Sequence, residues 1–141
     1  MPDAAQFVSR SLRLEQREIP YAVYLPRGFE TQPCWPLVVF LHGKGERGDD
    51  GRAQLEVGLG PALKCEPERF PCLVALPQCP ADRRWEQAEP LIEAVIAAVC
   101  AAYPVDEARL SLPRISMGGF CTWRYGGRHA ARFAALVPIC G

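Results

Sequence analysis

The sequence predicts an α/β protein in which a mostly parallel sheet is covered by helices on both faces. Three observations predict it. The segments Leu37-Val38-Val39-Phe40-Leu41 and Cys72-Leu73-Val74-Ala75-Leu76 are unbroken apolar runs of strand length, as suits strands buried on both faces. From Pro90 to Tyr103 the apolar residues Leu91, Ile92, Val95, Ile96, Val99, Cys100 and Tyr103 recur every three or four positions, the spacing of a helix. Strand-like and helix-like segments alternate along the chain, which is the pattern of parallel strands joined by crossovers.

The elements follow in order. Residues 7–16 and 19–25 carry alternating apolar positions (Val8, Leu12, Leu14, then Ile19, Tyr21, Val23, Leu25) and read as two antiparallel strands broken near Arg17-Glu18. A rigid connector with Pro33 and Pro36 leads into the first apolar run, and a loop rich in glycine and charge, residues 42–51, leaves its carboxyl end. A helix is expected between Ala53 and Lys64, then the second apolar run closed by Pro77, then a loop over residues 78–86. Pro90 suits the first turn of the long helix. Arg109-Leu110-Ser111-Leu112 alternates as a strand; Phe120, Trp123 and Tyr125 begin a helical face, and residues 133–139 offer one more strand.

Composition sets bounds. A chain of 141 residues, 49% hydrophobic and 23% charged, is a single globular domain or part of one. Sixteen basic residues balance sixteen acidic ones, so no global field recruits nucleic acid or an anionic membrane, and no apolar run reaches the roughly 18 residues of a membrane span. The start of the chain lacks a basic segment followed by an apolar one, so a cytoplasmic protein is expected unless a leader was removed, in which case secretion fits. Seven cysteines without a C-x-x-C pair, beside only two histidines, make a poor metal-ligand set. Cys72, Cys100 and Cys140 read as small core residues.

The stretch that carries chemistry is Arg114-Ile115-Ser116-Met117-Gly118-Gly119, a serine between a strand and a glycine-rich helix start. A sharp turn there lifts the serine hydroxyl clear of the backbone, and the next N–H points at whatever oxygen the serine attacks. Ser116 is therefore the candidate nucleophile, and the N–H of Met117, at a helix start, a candidate oxyanion donor. The second donor is expected from the loop after the first apolar strand, at Lys44, because Gly43 and Gly45 let the backbone turn that N–H toward Ser116. Ser116 also reads as a plain helix N-cap. His42 reads as a structural support of its loop and His129 as a surface or packing residue, so neither is offered as a base. Gly43-Lys44-Gly45-Glu46-Arg47-Gly48 satisfies the G-x-G-x-x-G of dinucleotide-binding loops, but Asp49-Asp50-Gly51 follows where a helix should open and would repel a pyrophosphate.

Taken in order, Tyr24-Leu25-Pro26, residues 40–48, Pro77-Gln78-Cys79-Pro80, Arg84-Trp85, Ser116-Met117-Gly118-Gly119, Arg128-His129 and Phe133-Ala134-Ala135 resemble the α/β-hydrolase superfamily. The likeness covers nearly the whole chain and is to the prolyl-oligopeptidase-like and polyhydroxybutyrate-depolymerase-like esterases of the phospholipase/carboxylesterase type. It implies a three-layer sandwich with antiparallel strands at the N-terminus, and a serine hydrolase without cofactor or metal acting on small or polymeric esters. Ser116 would be the nucleophile, and the N–H groups of Lys44 and Met117 the oxyanion hole. In such relatives the triad acid and histidine come from loops after later strands. The 141 residues stop before them, so the C-terminal part of the domain is expected to be missing and the chain alone to turn over little. A serine peptidase and a non-catalytic, ligand-binding fragment are the alternatives. Two departures stand out: Pro113 and Arg114 occupy positions where relatives carry a small residue and glycine. Arg114 is expected to strain the turn, and Pro113 to remove a ladder donor from a central strand.

Overall fold

The computed structural model describes residues 4–115, 125 and 127–139. Two strands, β1 (Gln6–Leu14) and β2 (Arg17–Leu25), form an antiparallel hairpin, and β2 pairs antiparallel with β4 (Leu73–Pro77). From there the sheet is parallel. β4 pairs with β3 (Trp35–Val39), β3 with β5 (Val105–Ile115), and β5 with β6 (Ala135–Ile139), giving the order β1-β2-β4-β3-β5-β6. The expected alternation of strands and crossovers is thus observed, with the antiparallel pair at the N-terminal edge.

Strand alternation sorts the core into two layers. Tyr21, Val23, Leu25, Leu37, Val39, Leu73, Ala75, Leu110 and Leu112 face α3 (Glu89–Ala102), which contributes Leu91, Ile92, Val95, Ile96 and Val99. Each of those five helix residues is at most 1% exposed, which is worth on the order of 1.5–3 kcal/mol apiece. The intervening residues Ala22, Tyr24, Val74 and Leu76 face the other way, with Phe40, onto Leu63 and partly buried Leu55 and Leu59. Those leucines lie on or beside two short helices, α1 (Ala53–Glu56) and α2 (Leu59–Cys65), so the sheet has helices on both faces. Cys72 packs against this second layer, and burial pushes its thiol up to about 11, as befits a small core residue. No helix among the described residues is long and apolar enough to cross a membrane.

Three boundaries differ from expectation. The hairpin turns at Glu15-Gln16, both left-handed (φ 51° and 64°), two residues before the break read from the pattern; neither residue is the Asn or Gly that marks such a turn. The single helix expected from Ala53 to Lys64 is two. Gly58 (φ 69°, ψ −120°) breaks it, and α2 then doubles back so closely that a Cβ on Gly60 would lie 2.1 Å from the Leu55 carbonyl oxygen. β5 runs on to Ile115, through Pro113 and Arg114, which pair in register with Val137 and Pro138.

Candidate active site

Strand topology decides where a site can form. The chain leaving β3 goes to β4 on one side, whereas β6, which follows β5 in sequence, lies on the other, so the carboxyl ends of β3 and β5 are the switch point, the place at which open α/β sheets form their binding crevice. Both candidate segments leave the sheet there. His42 follows β3 by three residues, and Ser116 follows the last residue of β5 directly. The strands still touch at this end, since the Leu41 N–H donates to the Pro113 carbonyl at 3.5 Å. Ser116 and Met117 themselves lie outside the described residues, as do Phe120 and Trp123.

Pro113 removes a ladder donor, as expected. With Val38 opposite Ser111 and Leu41 bonded to Pro113, an N–H at residue 113 would reach the Val39 carbonyl, one rung before that of Leu41. At Arg114 the backbone is extended strand, and among the described non-glycine residues only Glu15 and Gln16 have positive φ; the turn that Arg114 is expected to strain lies outside the described residues.

The loop after β3 is an arch with fixed feet. Lys44 opens a short 3-10 turn (Lys44–Glu46) at its crown, exposed to solvent, where the first N–H groups have no partner within the turn. One foot is His42, 2% exposed. The Cys79 N–H donates to His42 Nε2 at 2.9 Å, so the ring proton belongs to Nδ1, which donates to the Gly43 carbonyl at 2.5 Å. The Trp85 indole N–H donates to the His42 carbonyl at 2.9 Å, and the two rings lie 5.0 Å apart. A neutral ring with both nitrogens engaged is a strut, in keeping with the structural role read for His42.

The other foot rests on Gln78 and Cys79. The Gly48 N–H donates to the Cys79 carbonyl (3.0 Å), and Gln78 Nε2 donates to the Glu46 carbonyl and to Asp50 Oδ1 (3.0 Å each). Gln78 Oε1 accepts the Gly51 N–H at 2.8 Å. Asp50 Oδ1 also accepts the N–H groups of Arg52 and Ala53, at 2.9 and 3.2 Å. Donation from Arg52, Gln78 and Ala53 holds that carboxyl below the ordinary aspartate range. Arg47 braces the crown from the side, Nε to the Lys44 carbonyl (3.0 Å) and Nη1 to the Arg83 carbonyl (3.1 Å). No helix opens after Gly48; α1 starts only at Ala53, so the dinucleotide-loop geometry is not formed.

Beyond β5, Tyr125, Arg128 and Arg132 are tied to α3. The Tyr125 hydroxyl donates to Glu93, Arg132 pairs with Glu93, and Arg128 pairs with Glu89. His129 is exposed, with its ring 4.5 Å from that of Tyr125, as expected of a surface residue.

Solved structures share this arrangement. A thermostable esterase superposes with TM-score 0.84 at 32% identity, over 96% of this chain and 41% of that one. This is the α/β-hydrolase fold. An S-formylglutathione hydrolase from Staphylococcus aureus (TM-score 0.72, 15% identity, 96% of this chain and 58% of that one) shares the fold. So does a feruloyl esterase module from Clostridium thermocellum (TM-score 0.72, 18% identity, 98% of this chain and 54% of that one). The chain spans about half the length of these structures. No family model matches the sequence, and no curated protein does. Within the α/β-hydrolase fold, a concavity of about 610 Å³ lies between Arg17-Glu18-Ile19-Pro20, Gly48-Asp49 and Pro80-Ala81-Asp82. It sits at the β2 end of the sheet, with β4 and β3 between it and β5.

Gln78, Cys79 and Trp85 were visible in the sequence only through the family resemblance. The available signal was chemical: a glutamine directly after a buried strand and a tryptophan in a charged loop each need hydrogen-bond partners if buried.

Proposed function

We propose that the chain is the nucleophile-bearing part of a serine esterase. The observation that carries the reading is the adjacency of β5 and β3: the strand preceding Ser116 ends beside a strand whose loop opens a short 3-10 turn at Lys44. The hydroxyl of Ser116 attacks the acyl carbonyl of a small or polymeric ester, and the N–H groups of Lys44 and Met117 receive the developing oxyanion. The alcohol leaves, and water hydrolyses the acyl-enzyme. Proton transfer falls to a histidine and an acid supplied by residues other than these 141, since His42 is a strut and His129 lies on the surface. The setting is cytoplasmic, and the substrate is neither nucleic acid nor membrane.

A second reading, a hydrolase-like binding protein without turnover, is favoured by that commitment of both histidines. The test is a fluorophosphonate probe followed by peptide mapping. The esterase reading expects p-nitrophenyl acetate turnover by the 141-residue chain near background, because removing triad members leaves only residual catalysis, and an adduct on Ser116, abolished by Ser116→Ala, in a form that also carries the histidine and acid. An adduct elsewhere, or none in that form, overturns it.

A further inference from the structure

We propose that Gln78 is the positioning residue of the oxyanion loop, the side chain that fixes where the Lys44 amide stands; the catalytic part of this statement rests on the esterase reading above. Gln78 is 0% exposed, and both ends of its side-chain amide are engaged. Its amide nitrogen grips Glu46 and Asp50, its amide oxygen grips Gly51, and its own backbone N–H donates to the Pro20 carbonyl of β2 at 3.3 Å. One side chain therefore holds the descending limb at three residues and anchors that limb to the sheet. The loop lies against the amide: a Cβ on Gly48 would come within 3.3 Å of Gln78 Nε2. With His42 fixing the ascending limb, the crown from Gly43 to Gly45 has little freedom left.

The chemistry demands an amide at this position. Both of the groups beneath Nε2, a carbonyl and a carboxylate, are acceptors, while Gly51 presents a donor. An ionised glutamate has the same shape but only accepts, so it would satisfy Gly51 and repel the other two. A protonated glutamate regains one donor. Replacing Gln78 with Glu therefore converts the anchor into a pH-dependent one, which a role in mere space-filling does not predict. Displacing a catalytic donor by about 1 Å costs roughly a hundredfold in rate, so loss of the anchor should be read at the nucleophile as well as in the loop.

The experiment compares the parent chain with Gln78→Glu and Gln78→Met, measuring amide hydrogen exchange and the rate of fluorophosphonate labelling at neutral pH and at about pH 4.5, near the carboxyl range. In Gln78→Glu at neutral pH, protection at Gly48 should fall on the order of ten- to a hundredfold, with Gly51 less affected and α3 unchanged, and labelling of Ser116 should slow by a similar factor. Acid should restore much of both, relative to the parent at the same pH. Gln78→Met, which fills the space without donors or acceptor, should lose both, and Gly51 protection with them, at either pH. Unchanged protection at Gly48 in Gln78→Glu, or losses without acid recovery and equal to those in Gln78→Met, overturn the proposal. If the parent chain labels elsewhere than at Ser116 the esterase reading falls instead, and the exchange data alone then decide whether Gln78 holds the loop.

Discussion

The two sides of the crevice are fastened by opposite means. On the β3 side, the loop carrying Lys44 is pinned by neutral, buried groups: His42, Gln78 and Trp85 are each at most 2% exposed, and their partners are mostly backbone. On the β5 side, residues 125 and 127–132 are held to α3 in part by ion pairs with solvent-accessible members; Glu93 and Arg132 keep 42% and 34% of their side-chain surface. The contrast teaches that one side is built to be less sensitive to salt than the other. Buried neutral hydrogen bonds escape screening, whereas exposed ion pairs contribute little and respond to ionic strength.

The largest expected effect breaks the buried side. Trp85→Ala removes a fully buried indole and leaves the His42 carbonyl without its donor, and should cost about 3–5 kcal/mol in thermal or denaturant unfolding. A loss under about 1 kcal/mol would show that the arch does not depend on its strut.

Glu93→Ala tests the exposed side. It releases Tyr125 and Arg132 together and should cost roughly 1–2 kcal/mol, discounted for solvent access. Proteolysis or hydrogen exchange should localise the loosening to residues 125–132 and leave Gly48 and Gly51 protected. Acid tests the exposed side in another way. Burial acts to raise the Glu93 pKa, but the Tyr125 hydroxyl and Arg132 outweigh it, so the net shift is downward. A depressed carboxyl stabilises the fold above its unfolded value and withdraws that support as pH falls through the folded one. Exchange at residues 127–132 should therefore rise below about pH 4.5, and less so in Glu93→Ala, which has no such carboxyl to lose. Equal acid responses in the parent and the variant would show that Glu93 does not hold this segment.

A smaller effect concerns Arg114. Because its backbone is extended strand, glycine relieves no strained φ there, and Arg114→Gly should lower stability by about 0.5–1 kcal/mol. A higher melting temperature would point instead to the strain at the following turn expected from the sequence. The smallest effect is that of salt: raising ionic strength should lower the melting temperature of Glu93→Ala less than that of the parent, since the variant has already lost the pair being screened.

Much of the fold was legible because burial leaves periodic traces. Leu91, Ile92, Val95, Ile96 and Val99 announce α3, which begins at Glu89, one residue before the Pro90 that marks its first turn. What stayed hidden was non-periodic. Leu55, Leu59 and Leu63 keep helical spacing across Gly58, so the break between α1 and α2 shows only in the approach of Gly60 to Leu55. Glu15 and Gln16 adopt a turn that their side chains do not advertise. Of the site, the glycines flanking Lys44 pointed to a bent loop, but its fastening depends on contacts between residues 27 to 43 positions apart, such as Gln78 with Gly51 and Trp85 with His42. No local pattern encodes those.

The arch has one more consequence, for how the position at its crown can vary over evolutionary time. Its shape is set at the feet, by His42, Gln78, Cys79 and Trp85, whereas the Lys44 side chain projects into solvent and braces nothing; Arg47 reaches only its backbone carbonyl. Position 44 can therefore drift among residue types while its peptide group stays where the feet put it. A sequence change that alters what a visiting molecule meets at the rim need not disturb the scaffold beneath.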